Sequence, residues 1–196
     1  MKKHSSLRFI CITSSSKKSG KSLLASFLIR ELGAEFAIKV SQGKRGKPRG
    51  EITKSRKILE EPETDTAKLL EAGAKKVIWI HTDGDLEKPI KQAIQGLSSG
   101  LVIVEGNRAV DYFDPLLTVF LATAKPQDFK PSAHSVISKA NIVLIDKSKI
   151  KMEDEEIKSI FHALAPNSEI ISFESSIERK EAFEKVREKA LAAMRK

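Results

Sequence analysis

The chain has 196 residues, 40% of them hydrophobic and 31% charged, with a net charge of +9. That length suits one domain, residues 1–196, with a sizeable core. No apolar run approaches the roughly 18–20 residues of a membrane span, and Cys11, the only cysteine, excludes an intrachain disulfide. The expected address is cytoplasmic.

The first apolar run, LRFICIT (7–13), reads as a strand, and SSSKKSGKS follows it directly. Gly20, Lys21 and Ser22 close a phosphate-loop pattern, with Ser15 where the pattern has its first glycine. Apolar residues at Leu23, Leu24, Phe27, Leu28 and Leu32 then mark a helix over 20–32. A loop between a strand and a helix N-terminus presents backbone N–H groups to phosphate oxygens. The nucleotide-binding residues expected here are Ser15, Ser16, Lys17, Lys18, Ser19, Gly20, Lys21, Ser22 and Leu23. Lys21 would reach the β- and γ-phosphates, and the Ser22 hydroxyl would take a position on Mg²⁺. Serine fits at position 15 when its φ is negative.

A second strand, EFAIKV (35–40), precedes the irregular stretch 41–60. Within it, residues 44–57 hold seven Lys or Arg and one Glu, a local charge of +6. No aromatic residue interleaves with them, so the stacking platform of single-strand nucleic-acid binders is missing. A solvated basic loop, or one closing over an anionic substrate, is expected.

A helix over 64–73 and the strand KVIWIH (76–81) come next. In HTDGD, Asp83 and Asp85 read as a turn, with Asp85 capping a helix over 86–98. The strand LVIVEG (101–106) ends in Glu105. An acidic residue at the end of a strand beside a phosphate loop holds Mg²⁺ directly or through water, so Glu105 joins Ser22 as a metal candidate.

Strands LLTVFLA (116–122), NIVLID (141–146) and EIISF (169–173) alternate with helices over 132–139, 152–164 and from 177. The last opens with a Ser175-x-x-Glu178 capping box and places Ile177, Phe183, Val186, Ala190, Leu191 and Met194 at helical spacing. After NIVLID stands DKSK, where guanine-specific phosphate-loop proteins carry Asn-Lys-x-Asp. Lys147 is retained and is a candidate base clamp. The histidines are scattered without metal-ligand spacing. Alternating strands and helices predict a three-layer α/β phosphate-loop NTPase-like domain with a mainly parallel sheet of about seven strands.

The chain resembles the molybdopterin-guanine dinucleotide biosynthesis protein B family, MobB. Lys17, Ser19, Gly20, Lys21 and Ser22 match its phosphate loop, and Lys39 matches a strand ending in lysine. Pro62, Asp65, Thr66, Leu69, Ala72, Gly73 and Ala74 match its Asp-Ser/Thr…Ala-Gly-Ala segment, and Glu105 and Gly106 match a strand ending in Glu-Gly. The likeness covers residues 7–122. The sequence departs from that family at Ser15, and after Lys39, where the basic stretch replaces histidines.

The resemblance implies a homodimeric GTP-binding accessory factor of slow or partner-stimulated hydrolysis. It would work with a nucleotidyltransferase on a phosphorylated pterin in molybdenum cofactor biosynthesis. The helix start also resembles dethiobiotin synthetase-like ligases, which use ATP, and a non-hydrolysing nucleotide-binding scaffold is the third reading. Mg²⁺ with GTP, favoured over ATP, is the expected ligand. Arg45, Arg49 and Arg56 are the arginines that could serve as a finger in cis or across a dimer.

Overall fold

The computed structural model describes residues 7–42, 51–54, 56–82 and 84–195. The apolar runs form strands because β-branched residues buried on both faces leave their backbone groups no partner except another strand. In chain order the elements are β1 (Leu7–Ser14), α1 (Lys21–Leu32), β2 (Phe36–Ser41), β3 (Glu51–Thr53), α2 (Arg56–Leu59), α3 (Asp65–Glu71), β4 (Lys76–His81), α4 (Glu87–Gln95), β5 (Gly100–Glu105), β6 (Pro115–Ala122), α5 (Pro131–His134), β7 (Ile142–Asp146), α6 (Asp154–Leu164), β8 (Glu169–Phe173) and α7 (Ser176–Met194).

The strands form one eight-stranded sheet in the order β3-β4-β2-β5-β1-β6-β7-β8. Every neighbouring pair is parallel except β3 with β4. Successive residues of β1 feed opposite layers: Ile10 and Ile12 pack with α1, α3 and α7, and Cys11 packs with α4 and α6. Cys11 is fully buried, and that burial pushes its thiol up to about 12. From β1 the chain runs to β2 on one side, and from β6 to β7 on the other. The adjacent C-terminal ends of β1 and β6 therefore bound a topological switch-point crevice.

The structure differs from the expected elements in three places. The sheet has eight strands where about seven are expected, and the added strand β3, with α2, lies in the stretch read as a loop over 41–60. Three residues pairing antiparallel on an edge carry too little periodicity to stand out in a sequence. Residues 43–50 and Ser55 of that stretch lie outside the described residues. The helix expected over 132–139 divides into α5 and a 3₁₀ turn, Ile137–Lys139; the three-residue spacing of Ala133 and Val136 is served by either helix type. Ile177 is 72% exposed, since it sits in the first turn of α7, ahead of the first buried residue, Ala182. The serine half of that helix's capping box forms as expected, while the glutamate reaches one residue further back. Ser175 Oγ accepts from the Glu178 N–H at 3.1 Å, and the Glu178 carboxylate accepts from the Glu174 N–H at 2.8 Å.

One glycine fixes how closely the chain leaving β5 approaches the neighbouring strand β2. Gly106 follows β5 with φ 145°, and a Cβ there would lie 2.6 Å from the Val40 carbonyl oxygen. Gly106→Ala is expected to cost roughly 1–3 kcal/mol through backbone strain and crowding, measured by urea unfolding. A change below about 0.5 kcal/mol would contradict the close approach.

Candidate functional site

The segment after β1 is tied down before any ligand is considered. The Ser15 N–H donates to the Leu121 carbonyl at 2.9 Å, and Ser15 Oγ accepts from the Thr123 N–H at 2.8 Å. Ser16 Oγ lies 2.8 Å from Thr123 Oγ1. Asn107 makes the second brace: its Oδ1 accepts from the Ser14 N–H at 2.9 Å, and its Nδ2 donates to the carbonyls of Ser14 and Ser132. Ser15 keeps a negative φ; the left-handed positions of the loop are Lys18 at 54° and Gly20 at 90°. Serine therefore stands at position 15 without strain, and its hydroxyl gains the N–H and the hydroxyl of Thr123 as partners. The strained position is Lys18, at a cost of roughly 1 kcal/mol.

At Gly20 the loop turns into α1, which has no side-chain cap. Its first helical bond is from the Leu24 N–H to the Gly20 carbonyl, so the N–H groups of Lys21, Ser22 and Leu23 lack an intrahelical acceptor. Donors and helix dipole point the same way there, toward an anion. The Lys21 ammonium curls back, donating to Ser14 Oγ at 2.8 Å and Ser19 Oγ at 3.3 Å. Burial pushes its pKa down against the opposing pull of Glu105. Leu23 is half exposed beside the loop, and Lys17 and Lys18 are exposed on its rim.

Beside the loop lies a partly buried charge cluster assembled from four elements. The β2–β5 register sets Lys39 directly opposite Glu105, which puts both side chains on the α1 face. Glu105 Oε2 accepts from Ser22 Oγ at 2.9 Å, and its Oε1 lies 3.3 Å from Lys39 Nζ. Lys39 also donates to Asp65, the first residue of α3. Burial pushes the Asp65 carboxyl up, but the Lys39 hydrogen bond and charge, helped by Ser22, hold it below the ordinary carboxylate range. The two metal candidates, Ser22 and Glu105, are thus brought into contact. Their hard oxygen donors suit Mg²⁺, which is held by one or two carboxylates together with phosphate oxygens and water.

Among the grooves that open on this cluster, two also reach the loop. One of about 440 Å³ runs along Gly20, Lys21, Ser22, Asp65 and Glu105 toward Arg30 and Lys68. The other, about 390 Å³, lies across the loop and reaches Arg108, Lys130 and Ser132. Arg108, Lys130 and Asn107 carried no motif and were invisible in sequence; only the fold brings their loops to the end of β1. Lys147 stands elsewhere, at the end of β7, where its ammonium pairs with Asp154 at 2.6 Å and is raised by that hydrogen bond. Asp85 accepts from the Glu87 N–H at the start of α4, as a turn residue should. Arg56 pairs with Glu60 on an exposed face of α2, while Arg45, Arg49 and Asp83 lie outside the described residues.

No protein-family model matches this sequence, and no curated protein is found similar to it. The resemblance to MobB therefore gains no family-level support. Solved structures do match. Hydrogenase maturation factor HypB from Archaeoglobus fulgidus superposes with a TM-score of 0.60 at 15% identity, over 94% of this chain and 91% of that one. HypB from Helicobacter pylori, solved in complex with nickel, gives 0.61 at 15% identity over 95% and 88%. MinD in the Aquifex aeolicus MinC:MinD complex gives 0.50 at 13% identity, over 96% of each chain. The fold is that of the P-loop NTPases. Identities this low carry the architecture alone, not a partner or a substrate.

Lys130 offers a test of the electrostatics. It is half-buried, and its ammonium is pushed down to about 8 by burial, with Lys21 and Lys17 adding to the effect and Glu105 opposing it. An unfolded lysine titrates near 10.4, so the charged form is penalised in the fold below about 8, and the penalty fades as pH rises toward the unfolded value. Lys130→Gln should therefore raise the ligand-free thermal midpoint at pH 7 and lose that advantage by about pH 10. Equal shifts in Tm at both pH values would contradict it.

Proposed function

We propose that this chain binds a purine nucleoside triphosphate with Mg²⁺, with the phosphates on the loop 15–23. The observation that carries the reading is the 2.9 Å contact of Ser22 Oγ with Glu105 Oε2 beside an uncapped helix start. The backbone N–H groups of the loop and Lys21 would hold phosphate oxygens, and Ser22 with Glu105 would hold the metal. Bound Mg²⁺ would neutralise charge on the β- and γ-phosphates.

Slow intrinsic hydrolysis is consistent with the carboxylates of the groove across the loop. Among the described residues the acids lining that groove are Asp65 and Glu105, and Lys39 engages both. Both carboxylates are thus occupied by Lys39 in the ligand-free chain, and turnover would depend on a partner. GTP is favoured over ATP on the MobB likeness alone. Among the solved structures of this fold, YjiA is a GTPase and LpxK was crystallised with ATP. An accessory role in molybdenum cofactor biosynthesis, as a homodimer beside a nucleotidyltransferase, is the finer form of the proposal. What supports it is that Lys39, Asp65 and Glu105, matched separately along the sequence, meet in one cluster.

Calorimetric titration with GTP and with ATP, each with and without Mg²⁺, is the direct experiment. Mg²⁺-dependent binding is expected, and Lys21→Ala should weaken it by about 100-fold or more; unchanged affinity in that variant would remove the assignment. A second outcome concerns Lys39, whose ammonium competes for the carboxylates the metal needs. Lys39→Met should lower the Mg²⁺ concentration that half-saturates nucleotide binding, read with a fluorescent nucleotide. A higher requirement would show that Lys39 assists the metal rather than opposing it.

A further inference from the structure

The groove across the loop holds more positive charge than a nucleotide needs. Its cations are Lys17, Lys18, Lys21, Lys39, Arg108 and Lys130, set against Asp65 and Glu105. Both acids are engaged by Lys39. Among the described residues none of the other five cations forms an ion pair. A triphosphate partly neutralised by Mg²⁺ is matched by the three lysines of the loop itself. Arg108 and Lys130, on two other loops, remain over.

Both are held in place by groups that do not cancel their charge. The Arg108 guanidinium donates to the Thr82 carbonyl at 2.6 Å and to the Gly84 carbonyl. These two bonds fix the plane and leave further N–H donors of the five unused. The Lys130 N–H donates to the Ser15 carbonyl at 3.2 Å, which keeps that residue against the phosphate loop. Asn107, next to Arg108 in the chain, ties the same loop to Ser132. A guanidinium fixed by two carbonyls and a lysine anchored through its backbone, from separate segments, thus line one cavity. The low pKa of Lys130 shows that its charge is costly there without a counter-ion, and an anion offsets that cost.

We infer that Arg108 and Lys130 form a second anion subsite, which takes a small substrate bearing a carboxylate or phosphate beside the terminal phosphate of the nucleotide. The inference rests on the nucleotide reading above and adds the class of the second substrate. Arg108 supplies planar, multi-donor recognition and Lys130 a point charge, a pairing suited to an oxyanion.

The test begins with a non-hydrolysable triphosphate analogue and Mg²⁺, which checks the nucleotide reading alone. Inorganic phosphate is then titrated by calorimetry into the analogue-saturated protein, with acetate in parallel to tell phosphate from carboxylate preference. Phosphate or acetate should bind in about the millimolar range, and Arg108→Gln and Lys130→Gln should each weaken that binding by roughly tenfold. Analogue affinity should change by less than about threefold in both variants. Failure of both anions to bind the loaded wild-type protein overturns the subsite. So does unchanged anion affinity in the variants, or equal loss of the analogue, which would make these residues part of the nucleotide's own cradle. If the analogue itself does not bind, the anions are titrated into the free protein. Loss in the Arg108 and Lys130 variants with retention in Lys21→Ala then sustains the subsite, and any other pattern overturns it.

Discussion

Glu105 is a carboxylate at the end of a strand buried on both sides, and the surrounding structure is arranged to make that charge tolerable. An isolated ion in such a place costs several kcal/mol. Here the parallel register of β2 against β5 supplies Lys39 from the neighbouring strand, and α1 supplies the Ser22 hydroxyl. Asp65, from α3, then balances Lys39. Remove any one and the others lose their justification. The cluster also accounts for Gly106, since the chain must leave β5 against the Val40 carbonyl without pushing β2 and its lysine away.

The phosphate loop shows the same economy of support. Its first position is a serine held through its hydroxyl to Thr123, so the loop is fastened to β6 by side chain as well as backbone. Conformational freedom is needed two turns of the loop later, at Lys18 and Gly20, where φ is positive. A pattern that demands glycine at its first position describes many such loops, but the physical requirement in this one falls elsewhere.

Much of the fold was legible because buried parallel strands leave a strong signal: the runs at 76–81 and 169–173 became β4 and β8 without change of boundary. The loop, Ser22 and Glu105 were legible because strand, small residues and acid fall in a recognised order. Lys39 and Asp65 could be matched to a family pattern, but their contact depends on sheet order, which no local spacing encodes. Arg108, Asn107 and Lys130 lie in short 3₁₀ or irregular segments, where sequence has no periodicity to read. Edge strand β3 was missed for the same reason.

Cys11 has a use beyond packing. It is the chain's single thiol, lies in the middle of the strand that carries the phosphate loop, and is both fully buried and held protonated. Since the thiolate is the reactive form, native protein should be inert to alkylating agents. Covalent labelling of this position then clocks the opening of the central strand itself, a built-in reporter of cooperative unfolding that needs no engineered probe.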